Sequence, residues 1–175
     1  MNQVRIIAGK YGGRLIKTPS GFKTHPMGDR ERGAIFNSIQ HDVPNTVVLD
    51  AFAGSGAVGL EALSRGALHT TFLEKDRDAL RILSENIKKL SAQEQSIITK
   101  HPNGFTQKFD IIFADPPYDR PQYALIIRLL GFLKPNGIFV LSHPENAQPP
   151  KFTNLILLSD KTYAAANIKI YQNIV

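Results

Sequence analysis

The chain has 175 residues, a formal net charge of +6 and no Cys. That length suits one α/β domain with a real core and falls short of two ordinary ones, and the lack of Cys excludes disulfides and thiolate metal sites. With no long apolar run, no signal-peptide pattern and no short ligand spacing among His25, His41, His69, His101 and His143, a soluble cytoplasmic protein without a metal is expected.

Residues 3–9 read as a strand, Tyr11-Gly12-Gly13 as a turn and Arg14 to Thr18 as a returning strand, together a β-hairpin. Residues 1–28 hold Arg5, Lys10, Arg14, Lys17 and Lys23 and no acid, so nearly all of the net charge sits at this end. A charge excess confined to one end points to an attachment surface for a polyanion, with nucleic acid the expected partner. Arg5, Lys10, Arg14, Lys17 and, further on, Arg30 are the candidate contacts. Pro19 to Pro26 is a connector. Residues 28–40 have Ile35, Phe36 and Ile39 on one helical face, although Gly33 inside this helix costs about 1 kcal/mol relative to Ala. Pro44-Asn45 separates an N-terminal extension, residues 1–43, from a sheet domain, residues 44–175.

The sheet domain opens with Thr46 to Leu49, a β-branched and apolar run suited to a strand buried on both faces. Asp50 closes it, Gly54 and Gly56 let the backbone turn and approach a ligand, and Ala57 to Arg65 is a helix with Gly66 as its C-cap. Strand, glycine loop and helix form the opening of a nucleotide-type site in a doubly wound sheet. The Gly54, Gly56, Gly59 spacing is a weak signal by itself, and a dinucleotide competes for it with S-adenosylmethionine. Asp50 favours the latter, because a carboxylate at the strand tip repels a pyrophosphate and accepts a hydrogen bond from an ammonium.

His69 to Leu73 is the next strand, and it ends in Glu74, placed about 20 residues past the loop where a carboxylate reaches ribose hydroxyls. Asp76 to Leu90 is an amphipathic helix, and Ser96 to Thr99 a short strand. The stretch to Lys108 is too brief for a normal helix. Phe109 to Ala114 is an apolar strand ending in Asp115-Pro116-Pro117-Tyr118. Pro121 to Leu133 is read as a helix stopped by Pro135-Asn136-Gly137, Ile138 to Leu141 as a strand, and 143–151 as a proline-rich loop. Leu155 to Leu158 and Ile168 to Tyr171 close the chain as an antiparallel pair.

Asp-Pro-Pro-Tyr is the most informative motif. The prolines remove two N–H donors, so Asp115 and the carbonyl of Pro116 present two acceptors to an exocyclic amine, and Tyr118 offers a face for stacking. Such an amine is a poor nucleophile, because its lone pair is delocalised into the ring. Two acceptors on its N–H groups draw it towards a tetrahedral state, and Asp115 is positioned to take its proton. The first and fourth sheet strands should be neighbours, which sets this motif beside the glycine loop.

With both motifs located, the chain resembles the small, single-domain bacterial 16S ribosomal RNA (guanine-N2)-methyltransferases. The resemblance rests on Arg5 to Lys10, Gly13-Arg14, Pro26, Asp29-Arg30, Arg32, Phe36-Asn37, Asp50 to Gly56, Gly59 to Ala62, Ser64 to Ala67 and Asp115 to Tyr118. It implies a doubly wound, mostly parallel, seven-stranded Rossmann-like α/β sheet behind an N-terminal hairpin and helix. It further implies methyl transfer from S-adenosylmethionine to a guanine N2 amine of 16S rRNA during small-subunit maturation, by a protein expected to be monomeric. By the same resemblance Asp50, Phe52, Gly54, Gly56 and Glu74 bind the cofactor, while Asp115, Pro116 and Tyr118 hold the guanine. Family members carry an acid after the third sheet strand that reaches the adenine amine. Here Asn103 is the residue of that stretch able to replace it. His25, Met27 and Gly33 also depart from the family, which tends to have Arg, a hydroxyl residue and Glu there. The alternatives are a DNA adenine-N6 methyltransferase, which would need a target-recognition domain, and a protein glutamine methyltransferase, which typically has Asn at the place of Asp115. From another class comes an RNA-binding assembly factor with weakened catalysis.

Overall fold

A computed structural model describes residues 2–19, 27–163 and 166–175; Lys23, His25 and Pro26 lie outside the described residues. The elements in order are β1 (Gln3–Arg5), β2 (Leu15–Lys17), α1 (Asp29–Ser38), β3 (Val47–Asp50), α2 (Ala57–Ser64), β4 (His69–Leu73), α3 (Arg77–Lys89), β5 (Ser96–Thr99), β6 (Phe109–Ala114), α4 (Tyr123–Leu130), β7 (Leu133–Pro144), β8 (Leu155–Tyr163) and β9 (Ala166–Asn173). Strands β1 and β2 form a separate two-stranded sheet, and the other seven run in the order β5-β4-β3-β6-β7-β9-β8. The pairs from β5 through β7 are parallel, and β9 is antiparallel to both of its neighbours. This is the doubly wound, mostly parallel sheet expected, with β3 and β6 side by side.

Strand alternation divides the apolar residues between two cores. Val48, Ile111, Phe113, Val140 and Ile170 face the layer of α1, α2 and α3, while Leu49, Ile112, Ala114, Phe139 and Leu141 face α4. The extension is packed into the first of these. Ile6, Tyr11, Ile16, Ile35 and Phe36 are buried with the sheet residues. A buried ion cluster secures it. Glu61 of α2 accepts from the amides of Ile7 (2.7 Å) and Ala8 (3.2 Å) and from Arg65 Nε (2.6 Å). Arg32 of α1 donates to the carbonyls of Met27 (2.9 Å) and Arg5 (2.5 Å) and to Asp29 (2.8 Å). Both side chains are completely buried, with Arg32 Nε 4.0 Å from the Glu61 carboxylate. Charges removed from water persist only when paired in this way.

Three expectations change. The first strand stops at Arg5 instead of reaching residue 9, because Glu61 captures the amides of Ile7 and Ala8 and the chain turns through a 3-10 segment, Gly9–Tyr11. The helix expected over residues 121–133 spans only Tyr123–Leu130, since Gln122 is left-handed (φ 44°) and Leu133 pairs with Phe109. Pro135-Asn136-Gly137 therefore lies inside β7, as an irregularity where the β6–β7 register shifts, and is not a boundary.

Candidate active site

The parallel register brings three strand tips to one edge. Asp50 on β3 pairs with Phe72 of β4 and Phe113 of β6, so Glu74 and Asp115, each just beyond its strand, flank Asp50. Asp50 is buried, and its Oδ2 accepts from Gly59 N at 2.9 Å, satisfying one of the free amides in the first turn of α2. Burial pushes its carboxyl up to about 7; the Gly59 amide opposes this, and the charges of Asp115 and Glu74 add to it. A buried carboxyl flanked by two further acids favours a cationic guest and disfavours an anionic one.

The glycine motif divides by role. Gly54 has φ +52° and Gly56 φ +82°, both left-handed. A Cβ on Gly54 would meet nothing within 4 Å, whereas one on Gly56 would lie 2.4 Å from Leu83 Cδ1 and one on Gly59 2.3 Å from Phe72. Open space therefore lies over Gly54, while Gly56 and Gly59 serve the packing of α2 on α3 and β4. Phe52, in the same loop, is half-buried against the α4-side core.

Glu74 reaches the glycine loop more directly than a ribose contact alone requires. Its Oε2 accepts from Gly54 N (2.7 Å), and its Oε1 from Lys75 N (2.7 Å) and Asp76 N (2.8 Å). A carboxylate has about four lone-pair sites, so one remains for a hydroxyl. Asn103 is exposed, and its Oδ1 accepts from Arg128 Nη2 at 2.8 Å, so the carbonyl suited to an adenine amine is engaged by α4.

At the end of β6, Asp115 is half-buried, Pro116 is buried and Tyr118 is 39 % exposed. The Tyr118 hydroxyl lies 2.9 Å from Ser142 Oγ on β7. Burial lifts the Asp115 carboxyl to about 6, while the Ser142 hydroxyl holds it down. Burial also raises the Tyr118 phenol, Ser142 lowers it, and the charges of Asp115 and then Glu31 on α1 raise it further. Ser142 and Glu31 are thus neighbours of the site that the motifs did not reveal. The available signal for Ser142 was a lone polar residue directly after the apolar run Ile138 to Leu141, on the strand next to Asp-Pro-Pro-Tyr. For Glu31 the sequence carried no signal.

Arg5, Lys10, Arg14 and Arg30 are all exposed. Lys10 and Arg14 lie over the Tyr11 ring, 5.2 and 5.9 Å from its centroid. Lys17 differs from the other candidates, because its Nζ is paired with Glu85 of α3 at 2.7 Å. Among the described residues no group of three or more His, Cys, Asp or Glu is arranged to hold a metal ion, and no helix is long and apolar enough to cross a membrane.

Comparison with known proteins adds to this geometry. The family model described as "Conserved hypothetical protein 95" matches residues 4–172. The ribosomal RNA small subunit methyltransferase D of Haemophilus influenzae is 33% identical over 98% of this chain and 94% of its own length. That of Escherichia coli K12 is 34% identical over 97% of this chain and 90% of its own length. The solved structure of a provisionally named methyltransferase from Escherichia coli superposes with a TM-score of 0.86 at 32% identity, covering 99% of both chains.

Proposed function

Because the chain belongs to the family described as conserved hypothetical protein 95, together with the ribosomal RNA small subunit methyltransferase D proteins, we propose that it methylates small-subunit ribosomal RNA. The reaction assigned is transfer of a methyl group from S-adenosylmethionine to the exocyclic N2 amine of a guanine in 16S rRNA, during subunit maturation. The observation that carries this reading is the convergence of Asp50, Glu74 and the Asp115–Ser142–Tyr118 group at one sheet edge. Residues 44–175 are the methyltransferase domain, and residues 1–43 the RNA-contacting extension, in a cytoplasmic monomer.

The residues suit the cofactor. Open space over Gly54 accommodates a ligand against the backbone, and the Asp50 carboxylate fits an ammonium. Glu74 holds the loop at Gly54 and keeps one acceptor site for a ribose hydroxyl. When bound, S-adenosylmethionine supplies a methyl group activated on a sulfonium.

The remaining work belongs to the base site. Asp115 and the Pro116 carbonyl accept the two N–H groups of the amine, which aims the nitrogen lone pair at the incoming carbon. Asp115, with its carboxyl near 6, is largely ionised at neutral pH and takes the proton that the amine must lose. Ser142 fixes the Tyr118 hydroxyl, which sets the ring for stacking on the base. A base paired inside a helix cannot reach this pocket, so the guanine must be unpaired or flipped out. One observation favours a second reading, an RNA-binding assembly factor with weakened catalysis: the Asn103 carbonyl is engaged by Arg128.

The test is to incubate the purified protein with methyl-labelled S-adenosylmethionine and small-subunit RNA or immature particles, then identify the modified nucleoside by mass spectrometry. N2-methylguanosine is expected. RNA binding without any methylated nucleoside would leave the second reading, and methylation at another atom would refute the assigned target.

A further inference from the structure

The loop after β7, residues 145–154, carries Pro149 and Pro150 and no helix, and it roofs a cavity of about 500 Å³ over the β7-β9-β8 end of the sheet. Among the described residues, two polar atoms of the lining have no hydrogen-bond partner. His143 is 2 % exposed and its Nε2 is unbonded, and the buried Oδ1 of Asn167 is also unbonded. His143 and Asn167 are register partners on neighbouring antiparallel strands, so their side chains share one face about 4.5–5.5 Å apart at Cβ.

Both atoms are acceptors. His143 Nδ1 lies 2.8 Å from the Pro144 carbonyl, which only accepts, so Nδ1 carries the hydrogen and Nε2 of the neutral ring has a free lone pair. The Asn167 amide nitrogen donates to Asp160 (2.8 Å) and Thr162 (3.2 Å), which fixes its oxygen as the unbonded atom. Burying two unpaired acceptors is costly and calls for a donor-bearing guest. The walls indicate its shape. The rings of Phe152 and Tyr171 meet edge to face, with centroids 5.5 Å apart, and line the cavity as half-buried flat surfaces. Lys151 stands exposed at the rim.

We propose that this cavity, lying across the sheet from the Ser142 side, is a second base-binding subsite, which holds an amine-bearing nucleobase (adenine, cytosine or guanine) flanking the target in the RNA. The buried His143 Nε2 and Asn167 Oδ1 turn towards the cavity to accept from the exocyclic amine, the ring packs on Phe152 and Tyr171, and Lys151 meets a phosphate. Uracil has no amine and is disfavoured. Identification of the guest as RNA rests on the proposed function. Ser142 and His143 are consecutive on β7, so the candidate active site and the cavity lie at the same strand end on opposite faces of the sheet, and the RNA reaches both by crossing that edge.

The experiment measures binding of labelled oligo(A), oligo(C) and oligo(U) to the wild-type chain and to two variants, with thermal unfolding as the control for folding. His143→Phe keeps the ring and removes the acceptor; Ala147→Trp fills the cavity and leaves both acceptors in place. Wild type is expected to prefer oligo(A) and oligo(C) over oligo(U). Each variant should lose that preference by about ten-fold, in the range for a hydrogen-bonded base edge, with oligo(U) unchanged. Equal binding of all three by wild type, or variants that keep the preference, would overturn the proposal. AMP or CMP binding as tightly as the oligonucleotides would assign the cavity to a free nucleotide and overturn it as well. Methylation of RNA by a wild type that shows no base preference would refute the subsite alone. A base preference without methylation would refute the proposed reaction alone.

Discussion

Asp50→Asn separates the cost of the candidate cofactor site from its use. The Asp50 carboxyl is buried with one hydrogen bond, and burial, opposed by Gly59 and reinforced by Asp115 and Glu74, raises it from 3.8 to about 7. The folded state therefore binds this proton more tightly than the unfolded chain does. Stability contributed by the neutral form is lost as pH rises from about 3.8 to 7, and above that the full penalty applies. At 1.36 kcal/mol per decade the penalty is roughly 4 kcal/mol. Asparagine keeps the shape and an oxygen for the Gly59 amide but carries no charge. In urea unfolding at pH 8 without cofactor, the variant should be more stable than wild type by roughly 2–4 kcal/mol. The gap should close towards pH 4, leaving the variant with the shallower dependence due to Asp115, whose carboxyl sits at about 6. The same change should weaken S-adenosylmethionine binding by about 1.5–3 kcal/mol, the value of a charge-assisted hydrogen bond. A variant no more stable than wild type at pH 8 would refute the claim that this carboxylate is held at a cost.

For Asp115, single-turnover rates should fall in the order wild type, Asn, Ala, with Ala lower by about 10²–10⁴; an Ala variant at the wild-type rate would refute the site. Ser142→Ala removes the hydroxyl that holds the Asp115 carboxyl down, so the rising limb of the pH–rate profile should move to higher pH, and an unmoved limb would exclude that role. Gly33→Ala places its Cβ 3.6 Å from Ile7 Cδ1, an ordinary contact, and should raise stability by about 0.5–1 kcal/mol in urea unfolding. Gly54→Ala and Gly56→Ala should both destabilise because each position is left-handed, Gly56→Ala more because its Cβ also meets Leu83, and Gly54→Ala should in addition weaken cofactor binding in calorimetry. Replacing Arg5, Lys10 and Arg14 with Ala should flatten the salt dependence of RNA binding by roughly 0.7–0.9 log units for each phosphate that these side chains neutralise.

What the sequence determined by itself is local. Mainly apolar or β-branched runs that end in Asp50, Glu74 and Asp115 mark the strands and their tips, because a strand buried on both faces is rich in such residues and an acid marks where it leaves the core. The same logic revealed the amphipathic α3 and the closing antiparallel pair. The tertiary structure decided what depends on partners distant in the chain. Glu61 ends the first strand by taking amides 53 and 54 residues away. Leu133 becomes strand because Phe109 is there to pair with it. The three glycines of one motif take different roles because only Gly56 and Gly59 face Leu83 and Phe72. Glu74, Asn103 and Lys17, each legible as a ligand contact, have those groups engaged by Gly54, Arg128 and Glu85. A residue's type states what it is able to bond, and only the fold determines which group reaches it first.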